Sequence, residues 1–437
     1  MSSDSPDKPS APAPGPAADP AAGPASDASQ AARVVVLHTR VVSGTGGGPE
    51  KTILLSAPFL AHTRYALSAA YMYPPGDAGF EIVRQRAQAL NSPLIPVPDR
   101  GKFDLAVIWR MLRLCKRLRV DVWHGHDYKS NLLGLLLRPF HRMRLVTTLH
   151  GWVKHDDHLP LYYKIDRWCL PRYERVIAVS EDLVEAARKA GVREERLTYV
   201  PNAIDERAFR RAGPAAQAPM RRERGFPEGR LLVGAMGRLS EEKSFDLLIR
   251  AVADLLGQGH DLGLWIAGEG DAKPQLQALI DSLGVGDRVR LLGFCKDTVA
   301  FHEALDVFVL SSQREGLPNV VLEAAAMETP LVSTRVAGIP KMLTHERDAL
   351  LCDIGDLDGL TQQVRRLVTD PALRRDLARA ARALIEERYG FARRMQRIQA
   401  IYDRLLGFAP TPDAEPAPAP VPGLVPDALA TSTRDHP

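Results

Sequence analysis

Residues 315–323 read Glu315-Gly-Leu-Pro-Asn-Val-Val-Leu-Glu323, and this stretch decides how we interpret the fold. It follows the apolar run Leu305–Leu310, which predicts a buried strand, and Pro318 suits the first turn of a helix because its missing N–H would be unpaired there anyway. Glu315 is thus predicted at the carboxyl end of a strand, and Glu323 about one turn into the next helix. The helix start between them offers free amides and a positive dipole end, which favour phosphate. Two carboxylates beside such a helix start suit a ligand that contains both phosphate and sugar hydroxyl groups.

Short apolar runs alternate with stretches of helical period in both halves of the chain. The runs predicted as strands are Arg33–Leu37, Ala66–Ala70, Val120–Trp123, Leu145–Leu149 and Val176–Val179, then Leu231–Met236, Gly263–Ala267, Val289–Leu292, Val307–Leu310 and Leu331–Ser333. Strands that alternate with helices predict a parallel sheet covered on both faces. The sequence therefore predicts an α/β fold of two doubly wound, Rossmann-like domains. Ligands of such sheets bind at the carboxyl ends of the strands, so the site is expected in a cleft between the domains.

Composition sets the predicted boundaries. The N-terminal segment has almost no large apolar side chains and the C-terminal segment is rich in Pro and Ala, so neither can offset its chain entropy by burial. A final helical stretch carries an apolar stripe, which is most simply core. The predicted organisation is a disordered tail at 1–31, a first domain at 32–210, a linker at 211–230, a second domain at 231–385, a helix packing back on the first domain at 386–408 (stripe Phe391, Met395, Ile398, Tyr402, Leu405) and a disordered tail at 409–437.

The bulk composition excludes several classes of protein. Fifty-seven basic and fifty-three acidic residues give a net charge of +4, too balanced to indicate nucleic-acid binding. The four cysteines are scattered without metal-ligand spacing, which is typical of reduced thiols in the cytosol. No apolar run approaches the roughly 18–20 residues that span a bilayer, and the N-terminus lacks a signal-peptide pattern. We therefore expect a cytoplasmic protein.

A glycine-rich loop, Ser43–Thr52, follows the first predicted strand. It fails the P-loop pattern because Glu50 precedes Lys51 where that motif demands Gly, and it fails the dinucleotide fingerprint because Pro49 replaces the third Gly. Such a turn still allows a ligand to approach the backbone closely. The alternative is a tight turn without function.

Histidines follow two further strands of the first half. The pair His124-Gly-His126, together with His150, has ligand types that suit a metal, but no Cys or well-spaced carboxylate completes the set. We predict no metal site and interpret His124 as structural. His126 and His150 lie at predicted strand ends, where side chains often meet a ligand.

Basic residues occupy two other positions of interest. Arg238 and Lys243 lie on the loop after Leu231–Met236, which suits a pyrophosphate, although a solvated basic loop is the alternative. The helical stretch around Arg110–Arg119 interleaves basic and apolar residues. This pattern is more often a solvated helix face, but we keep the hypothesis that it docks on anionic lipid at the inner face of the cell membrane.

Together these motifs resemble those of the retaining GT-B glycosyltransferases of glycosyltransferase family 4 (glycosyl transferases group 1). The resemblance covers roughly residues 33–406. Loops of the first half look like those of bacterial members associated with polysaccharide or glycoconjugate assembly. Ser244 and Ala203 depart from the family pattern, which has Gly at both places. The matching residues are Glu315 and Glu323 of the Glu-x7-Glu motif, Gly237–Lys243, Val200–Asp205 and His150 within Thr-Leu-His-Gly.

The resemblance implies roles for individual residues. Glu323 would hold ribose hydroxyls, Arg238 and Lys243 would neutralise the diphosphate, and His150 would lie against the donor sugar. The implied catalytic residues are His150, Arg238, Lys243 and Glu315; the implied donor-binding residues are Arg238, Lys243, Phe294, Cys295, Glu315, Gly316, Leu317, Pro318, Asn319 and Glu323; and the implied acceptor-side residues are Gly46, Gly47, Gly48 and His126.

The implied activity is transfer of a hexose-type sugar from a nucleotide-diphosphate sugar to an acceptor hydroxyl, with retention of anomeric configuration. Because Arg238, Lys243 and a helix N-terminus can oppose the charge of the leaving phosphate, neither a metal nor another cofactor is expected. A glycan or lipid-linked acceptor is expected, with no nucleic-acid partner. The alternatives are a nucleotide-sugar epimerase, a glycoside hydrolase that uses Glu315 and Glu323 as its carboxylates, and a non-catalytic sugar-binding protein.

Overall fold

The computed structural model describes residues 33–101, 104–151, 161–315 and 318–409. Within these ranges thirteen strands form two parallel sheets, one in each half of the chain. The tails predicted at 1–31 and 409–437 lie outside the described residues except for Ala409, as do Gly316 and Leu317. The predicted fold class, two doubly wound α/β domains, is confirmed.

The elements alternate along the chain as the sequence pattern predicts. The strands are β1 (Val34–Val41), β2 (Tyr65–Tyr73), β3 (Leu94–Pro98), β4 (Val122–Gly125), β5 (Arg144–Leu149), β6 (Arg175–Ala178), β7 (Leu197–Tyr199), β8 (Leu231–Met236), β9 (Leu262–Ala267), β10 (Val289–Gly293), β11 (Val307–Leu310), β12 (Leu331–Thr334) and β13 (Leu350–Cys352). The helices are α1 (Gly48–Leu60), α2 (Phe80–Ala89), α3 (Ala106–Leu118), α4 (Tyr128–Leu137), α5 (Leu161–Cys169), α6 (Glu181–Lys189), α7 (Pro214–Glu223), α8 (Phe245–Gly257), α9 (Lys273–Ser282), α10 (Thr298–Ala304), α11 (Asn319–Ala326), α12 (Ile339–Met342), α13 (Leu357–Thr369), α14 (Pro371–Leu384) and α15 (Phe391–Leu406).

The strand order of each sheet determines where a ligand can bind. The first sheet runs β3-β2-β1-β4-β5-β6-β7 and the second runs β10-β9-β8-β11-β12-β13. The order reverses between β1 and β4 in the first sheet, and between β8 and β11 in the second. At such a switch point the loops that follow the two strands diverge and leave a crevice. The glycine-rich loop after β1, His126 after β4 and the Lys243 and Glu315 loops all lie at these two points.

Neighbouring residues of each strand face different cores. Leu37 and Trp123 belong to the core on one face of the first sheet, whereas Val36 and Val122 belong to the core on the other face. This alternation follows from the two-residue period of a strand. Both faces are buried because the helices cover the two sides, which explains why the central strands are continuous apolar runs.

Three strands that the sequence analysis did not predict are β3, β7 and β13. All three lie at the edge of a sheet. The strand β3 contains Pro96 and Pro98, and such a residue is tolerated only where one side of the strand has no partner. The other two have three residues each. Edge strands need fewer apolar residues, so their sequence signal is weak.

The segment predicted as a linker at 211–230 is not a bare connection. It contains α7, and its basic side chains bind the second domain. Arg221 pairs with Asp306 at 2.7 Å, and Arg211 donates to the carbonyl oxygen of Met327 at 2.9 Å. Because these contacts fix the segment to the second domain, the part of the chain that connects the domains precedes Arg211.

The last helix covers the first sheet. Phe391, Met395 and Ile398 belong to the same core as Val36 and Val122 of β1 and β4. Its start differs from the predicted one: Ile385–Tyr389 forms a π-helical turn, Gly390 is extended, and α15 begins at Phe391. Gly390 pairs with Ile204, so the two passages of the chain between the domains lie side by side.

Candidate active site

Lys243 and Glu315 form the centre of the predicted donor site. The ammonium group of Lys243 lies 2.6 Å from Oε1 of Glu315, and the hydroxyl of Ser312 donates to the same oxygen at 2.7 Å. Ser311 donates to the carbonyl oxygen of Lys243 at 2.9 Å. The loops after β8 and β11 are therefore joined by side chains, which places a cation and a carboxylate at the switch point of the second sheet.

Arg238 lies on the same loop as Lys243. It pairs with Glu242 at 2.5 Å and remains 57 % exposed. The carbonyl oxygen of Glu242 accepts a hydrogen bond from the amide of Gln313, which holds this loop beside the Glu315 loop. An exposed guanidinium held beside Lys243 can meet an anionic ligand that enters from solvent.

Two glycines after β9 shape the Arg238 loop. Gly268 and Gly270 have positive φ angles of 150° and 158°. A Cβ atom at Gly268 would lie 1.8 Å from the carbonyl oxygen of Gly237, and one at Gly270 would lie 2.2 Å from that of Leu239. The close approach allows the amide of Leu239 to donate to the carbonyl of Glu269. Gly268 and Gly270 thus support the loop that carries Arg238.

The N-terminus of α11 carries an unpartnered polar atom. Pro318 is its N-cap rather than a first-turn residue, and Asn319 is the first helical residue. Oδ1 of Asn319 is buried and lacks a hydrogen-bond partner among the described residues. Buried polar atoms usually have partners, so this atom indicates a place where a ligand binds.

Glu323 is buried but ionisable. Nε2 of His302 lies 3.4 Å from one of its oxygens, and Nζ of Lys51, from the first domain, lies 3.9 Å from the other. Burial opposes ionisation of Glu323, but His302 and Lys51 outweigh this effect and hold the pKa of the carboxyl below its ordinary value. A carboxylate in this state can accept hydrogen bonds from hydroxyl groups.

The glycine-rich loop closes the site from the first domain. Gly46 has a φ angle of 66°, Gly47 is the N-cap of α1 and Gly48 is its first residue. Oε2 of Glu50 accepts from the amide of Gly47 at 2.7 Å, while Oε1 pairs with Arg40 at 2.5 Å. Glu50 stands where the P-loop pattern requires Gly, and its carboxylate anchors the loop.

The loop meets the second domain directly. A Cβ atom at Gly48 would lie 2.8 Å from Nδ2 of Asn319. The acceptor-side loop and the helix start of the donor site are thus in contact across the cleft. Any residue other than glycine at position 48 would displace the amide group of Asn319.

The histidines of the first domain form a hydrogen-bonded chain. His150, directly after β5, contacts Nδ1 of His126 through its Nε2 at 2.9 Å, and Nε2 of His126 contacts Nδ1 of His38 at 2.9 Å. Nε2 of His38 lies 3.5 Å from the hydroxyl of Tyr402. That hydroxyl lies 2.6 Å from Nδ1 of His124. We call these five residues the histidine chain.

The position of His126 differs from the prediction. His126 is buried and both of its ring nitrogens are engaged by other histidines. It therefore does not face an acceptor, and only His150 brings the histidine chain to the cleft. Desolvation lowers the pKa of His126 and of His150 well below the ordinary value, so both rings are neutral.

Ring nitrogens of His38, His124 and His126 lie within 4.8 Å of one another. Their arrangement suits hydrogen bonding better than metal binding. The rings of His124 and His126 are stacked, with centroids 4.5 Å apart and an angle of 13° between planes, so their lone pairs do not converge on one point. Nitrogens of His38 and His126 are 2.9 Å apart, closer than the roughly 3.3 Å expected of two ligands on one tetrahedral zinc ion.

Other predicted residues lie at the edge of the site. Phe294 is half exposed directly after β10, and Cys295 is half-buried and donates to the carbonyl oxygen of Asp297 at 3.2 Å. Gly316 and Leu317 fall outside the described residues. The sequence analysis missed Lys51, His302, His38 and Tyr402 as members of the site. Lys51 alone had a signal, its place in the glycine-rich loop.

Profiles of two related families match the two domains. The description "Glycosyltransferase Family 4" matches residues 46–208, and "Glycosyl transferases group 1" matches residues 217–384. The chain is 30 % identical over 281 residues to the lipopolysaccharide core biosynthesis glycosyltransferase LpsD of Rhizobium meliloti, which covers 64 % of this chain and 74 % of LpsD. It is 43 % identical over 147 residues to LpsE of the same organism, covering 34 % of this chain and 42 % of LpsE.

The fold also matches solved structures. The crystal structure of Anabaena Alr3699/HepE in complex with UDP-glucose superposes with a TM-score of 0.73 at 20 % identity, covering 85 % of this chain and all of that one. This likeness establishes the GT-B arrangement of two Rossmann-like domains. The chain belongs to glycosyltransferase family 4 and is a glycosyltransferase.

Proposed function

We propose that the protein transfers a hexose from a nucleotide-diphosphate sugar to an acceptor hydroxyl, with retention of anomeric configuration and without a metal. The observation that carries the proposal is the contact of Lys243 with Glu315 beside the start of α11, where Asn319 has an unpartnered buried oxygen and Glu323 is a buried carboxylate. A cation, two carboxylates and a helix N-terminus match the diphosphate and the hydroxyls of one ligand.

Lys243 and Arg238 act on the leaving group. Cleavage of the bond between sugar and diphosphate leaves negative charge on the phosphate, which fixed cations and the free amides of α11 stabilise. Lys243 can do so while it keeps Glu315, because an ammonium group has three N–H donors and Glu315 occupies one. Fixed positive charge of this kind is the reason that we propose no metal.

Glu315 and Glu323 act on hydroxyl groups. Ser312 and Lys243 both bind Oε1 of Glu315, which orients the carboxylate toward the sugar side of the site. Glu323, buried and held in its charged form, would accept from the ribose. The acceptor enters from the first domain, beside Gly48 and His150. Retention follows when the acceptor attacks the face that the diphosphate leaves, with the leaving phosphate as the base.

The acceptor is proposed to be a glycan or lipid-linked saccharide of a cell-surface polysaccharide. The names of the Rhizobium relatives, which concern the lipopolysaccharide core, support this assignment. Among the described residues no helix is both long and apolar enough to cross a bilayer. Contact with a membrane would therefore be peripheral, and we propose α3 for it: Arg113 and Arg117 are exposed, as are Leu105 and Trp109 at its N-terminal end.

A donor screen followed by product analysis tests the proposal. Thermal shift with UDP-, GDP- and ADP-sugars should identify one donor, because a ligand of the native state raises the melting temperature. Transfer from that donor should persist in EDTA, and NMR should show the anomeric configuration of the donor in the product. Metal-dependent transfer would reject the metal-free mechanism, and an inverted anomer would reject retention of configuration. Isomerised donor without transfer would favour an epimerase, and sugar released from an oligosaccharide without nucleotide would favour a hydrolase.

A further inference from the structure

The histidine chain is a polar cluster of which the proposed reaction uses only His150. It runs from His150 in the cleft to Tyr402 on α15, at the opposite end of the sequence. His38, His124, His126 and Tyr402 are all buried. Burying four such groups in an otherwise apolar domain costs free energy unless each is hydrogen-bonded. The geometry supplies those bonds in a fixed order.

The distances favour one direction of the bonds. The hydroxyl of Tyr402 has one proton and lies 2.6 Å from Nδ1 of His124 but 3.5 Å from Nε2 of His38. A separation of 2.6 Å lies below the range of about 2.7–3.2 Å for N–H···O bonds, which favours the phenol as the donor to His124. His124 is then protonated on Nε2, which can donate to the hydroxyl of Thr148 at 2.7 Å.

The same reasoning applies to the other three members of the histidine chain, His38, His126 and His150. Because Tyr402 gives its proton to His124, it can only accept from His38, which must be protonated on Nε2. Nδ1 of His38 then accepts from Nε2 of His126, and Nδ1 of His126 accepts from Nε2 of His150. A neutral imidazole has one N–H and one lone pair. The nitrogen that is protonated in one ring therefore fixes which nitrogen is protonated in the next.

We propose that Tyr402, through His38 and His126, fixes His150 as the Nε2–H tautomer, so that Nδ1 offers a lone pair to a hydroxyl of the bound sugar or acceptor. Nδ1 of His150 has no hydrogen-bond partner among the described residues. The proposal rests on the proposed place of His150 in the cleft. It makes Tyr402, His38 and His126 positioning residues, since none of them touches the substrate.

The charge state of the rings supports this assignment. Desolvation, with a smaller contribution from Arg394, lowers the pKa of His38 to about 3. Desolvation and the neighbouring histidines also lower the pKa of His124 well below its ordinary value. The rings are therefore neutral near pH 7. In a row of neutral rings the N–H groups can all donate toward Tyr402 or all donate away from it. The single proton of Tyr402 selects one of these two directions.

The variant Tyr402→Phe tests the direction. It retains the aromatic ring in the core but removes the acceptor for the N–H of His38. An orphaned buried N–H is rarer in proteins than an under-satisfied acceptor, so His38 should become protonated on Nδ1. His126 and His150 should then follow, which leaves His150 as the Nδ1–H tautomer. Nδ1 of His150 becomes a donor in place of an acceptor.

NMR spectroscopy measures the tautomer of His150 directly. Two-bond ¹⁵N–¹H correlation spectra of the full chain labelled with ¹⁵N-histidine distinguish the two neutral tautomers, and His150→Gln assigns the signal. We expect Nε2–H in the wild type and Nδ1–H in Tyr402→Phe. The matched control is Tyr65→Phe, which removes another buried hydroxyl bound to α15, at Asp403, and keeps the ring that packs against Tyr402. It should leave the tautomer unchanged.

Kinetics with the donor identified above complete the test. Tyr402→Phe should lower kcat by about tenfold, the scale of one lost hydrogen bond to substrate, while Tyr65→Phe keeps the wild-type value. The same His150 tautomer in the wild type and Tyr402→Phe overturns the proposal, as does a stoichiometric metal ion in the purified protein. A changed tautomer with unchanged kcat overturns the positioning role. If the wild type transfers no sugar, the proposed function fails, but the spectra still decide the tautomer.

Discussion

The ammonium group of Lys51 in the first domain lies 3.9 Å from the carboxylate of Glu323 in the second. Glu323 is buried, whereas Lys51 is 41 % exposed and can move. With the contact between Gly48 and Asn319, this pair joins the two domains at the predicted donor site. From this position the ammonium group of Lys51 can move toward an anionic donor that enters the cleft.

Lys51→Met should therefore raise the KM for the donor more than it lowers kcat. The residue contacts the binding site from across the cleft, and a partly exposed ion pair contributes little free energy, so we expect a change of about two- to fivefold. Steady-state kinetics with varied donor measure it. A fall in kcat alone, with KM unchanged, would contradict the assignment to donor binding.

Lys243→Ala should lower turnover at saturating donor by roughly 10²–10³, the scale of losing one group that stabilises charge in the transition state. The loss also leaves Glu315 without its cation. Arg379→Ala is the matched control, since it removes a cation that pairs with Asp376 on the surface of the same domain. Wild-type turnover of Lys243→Ala would remove Lys243 from the mechanism.

Gly48→Ala should impair the contact between the domains. The added methyl group would lie 2.8 Å from Nδ2 of Asn319, so this amide group must move from its place at the start of α11. A displacement of this size near the reacting groups should lower turnover by about ten- to a hundredfold. In the control Gly257→Ala, a helical glycine with no neighbour within 4 Å, turnover should remain at the wild-type value. Equal turnover of the two variants would show that the contact is not needed.

Acid should destabilise the first domain through its histidines. His38, with a pKa of about 3 when folded, takes up a proton near pH 6.5 when unfolded. Below pH 6.5 the unfolded state thus binds more protons than the folded state, and stability falls as the pH falls. Between pH 7.5 and 5.5 each such histidine should reduce the free energy of unfolding by about 1.4 kcal/mol.

Urea titrations followed by tryptophan fluorescence measure this loss, because four of the five tryptophans lie in the first half of the chain. His38→Gln should lose less stability between the two pH values than the wild type. The exposed His62 provides the control, and His62→Gln should behave as the wild type does. Equal pH dependence in all three proteins would contradict a neutral, buried His38.

Vesicle flotation tests the membrane contact of α3. Arg110 binds Asp104 and the carbonyl oxygen of Pro98, so its replacement would disturb the helix start. The double change Arg113→Glu and Arg117→Glu avoids this problem and should reduce flotation with anionic vesicles. The matched control is Arg375→Glu with Arg379→Glu on α14, which makes the same change of net charge. Equal flotation of both double variants would reject α3 as the contact.

The sequence predicted the residues that lie near one another along the chain or directly after a central strand. Lys243 and Glu315 were found because each follows a continuous apolar run, which is the pattern of a strand buried on both faces. Tyr402 was predicted only as part of an apolar stripe, and His38 not at all, because a polar residue within a buried strand has no local signal of its partner. The contacts of the segment 211–230 with the second domain were not predicted, because Arg211 and Arg221 bind residues distant in sequence.

The sequence by itself determined the two alternating α/β patterns, the loops that carry the donor-site residues and the family. Those features depend on local periodicity and on motifs within a few residues. Only the tertiary structure decided that Lys51 meets Glu323, that Gly48 meets Asn319 and that His150 connects through two histidines to Tyr402. These contacts join residues as many as 364 positions apart, and their distances are set by the packing of α15 and the two sheets rather than by any local pattern.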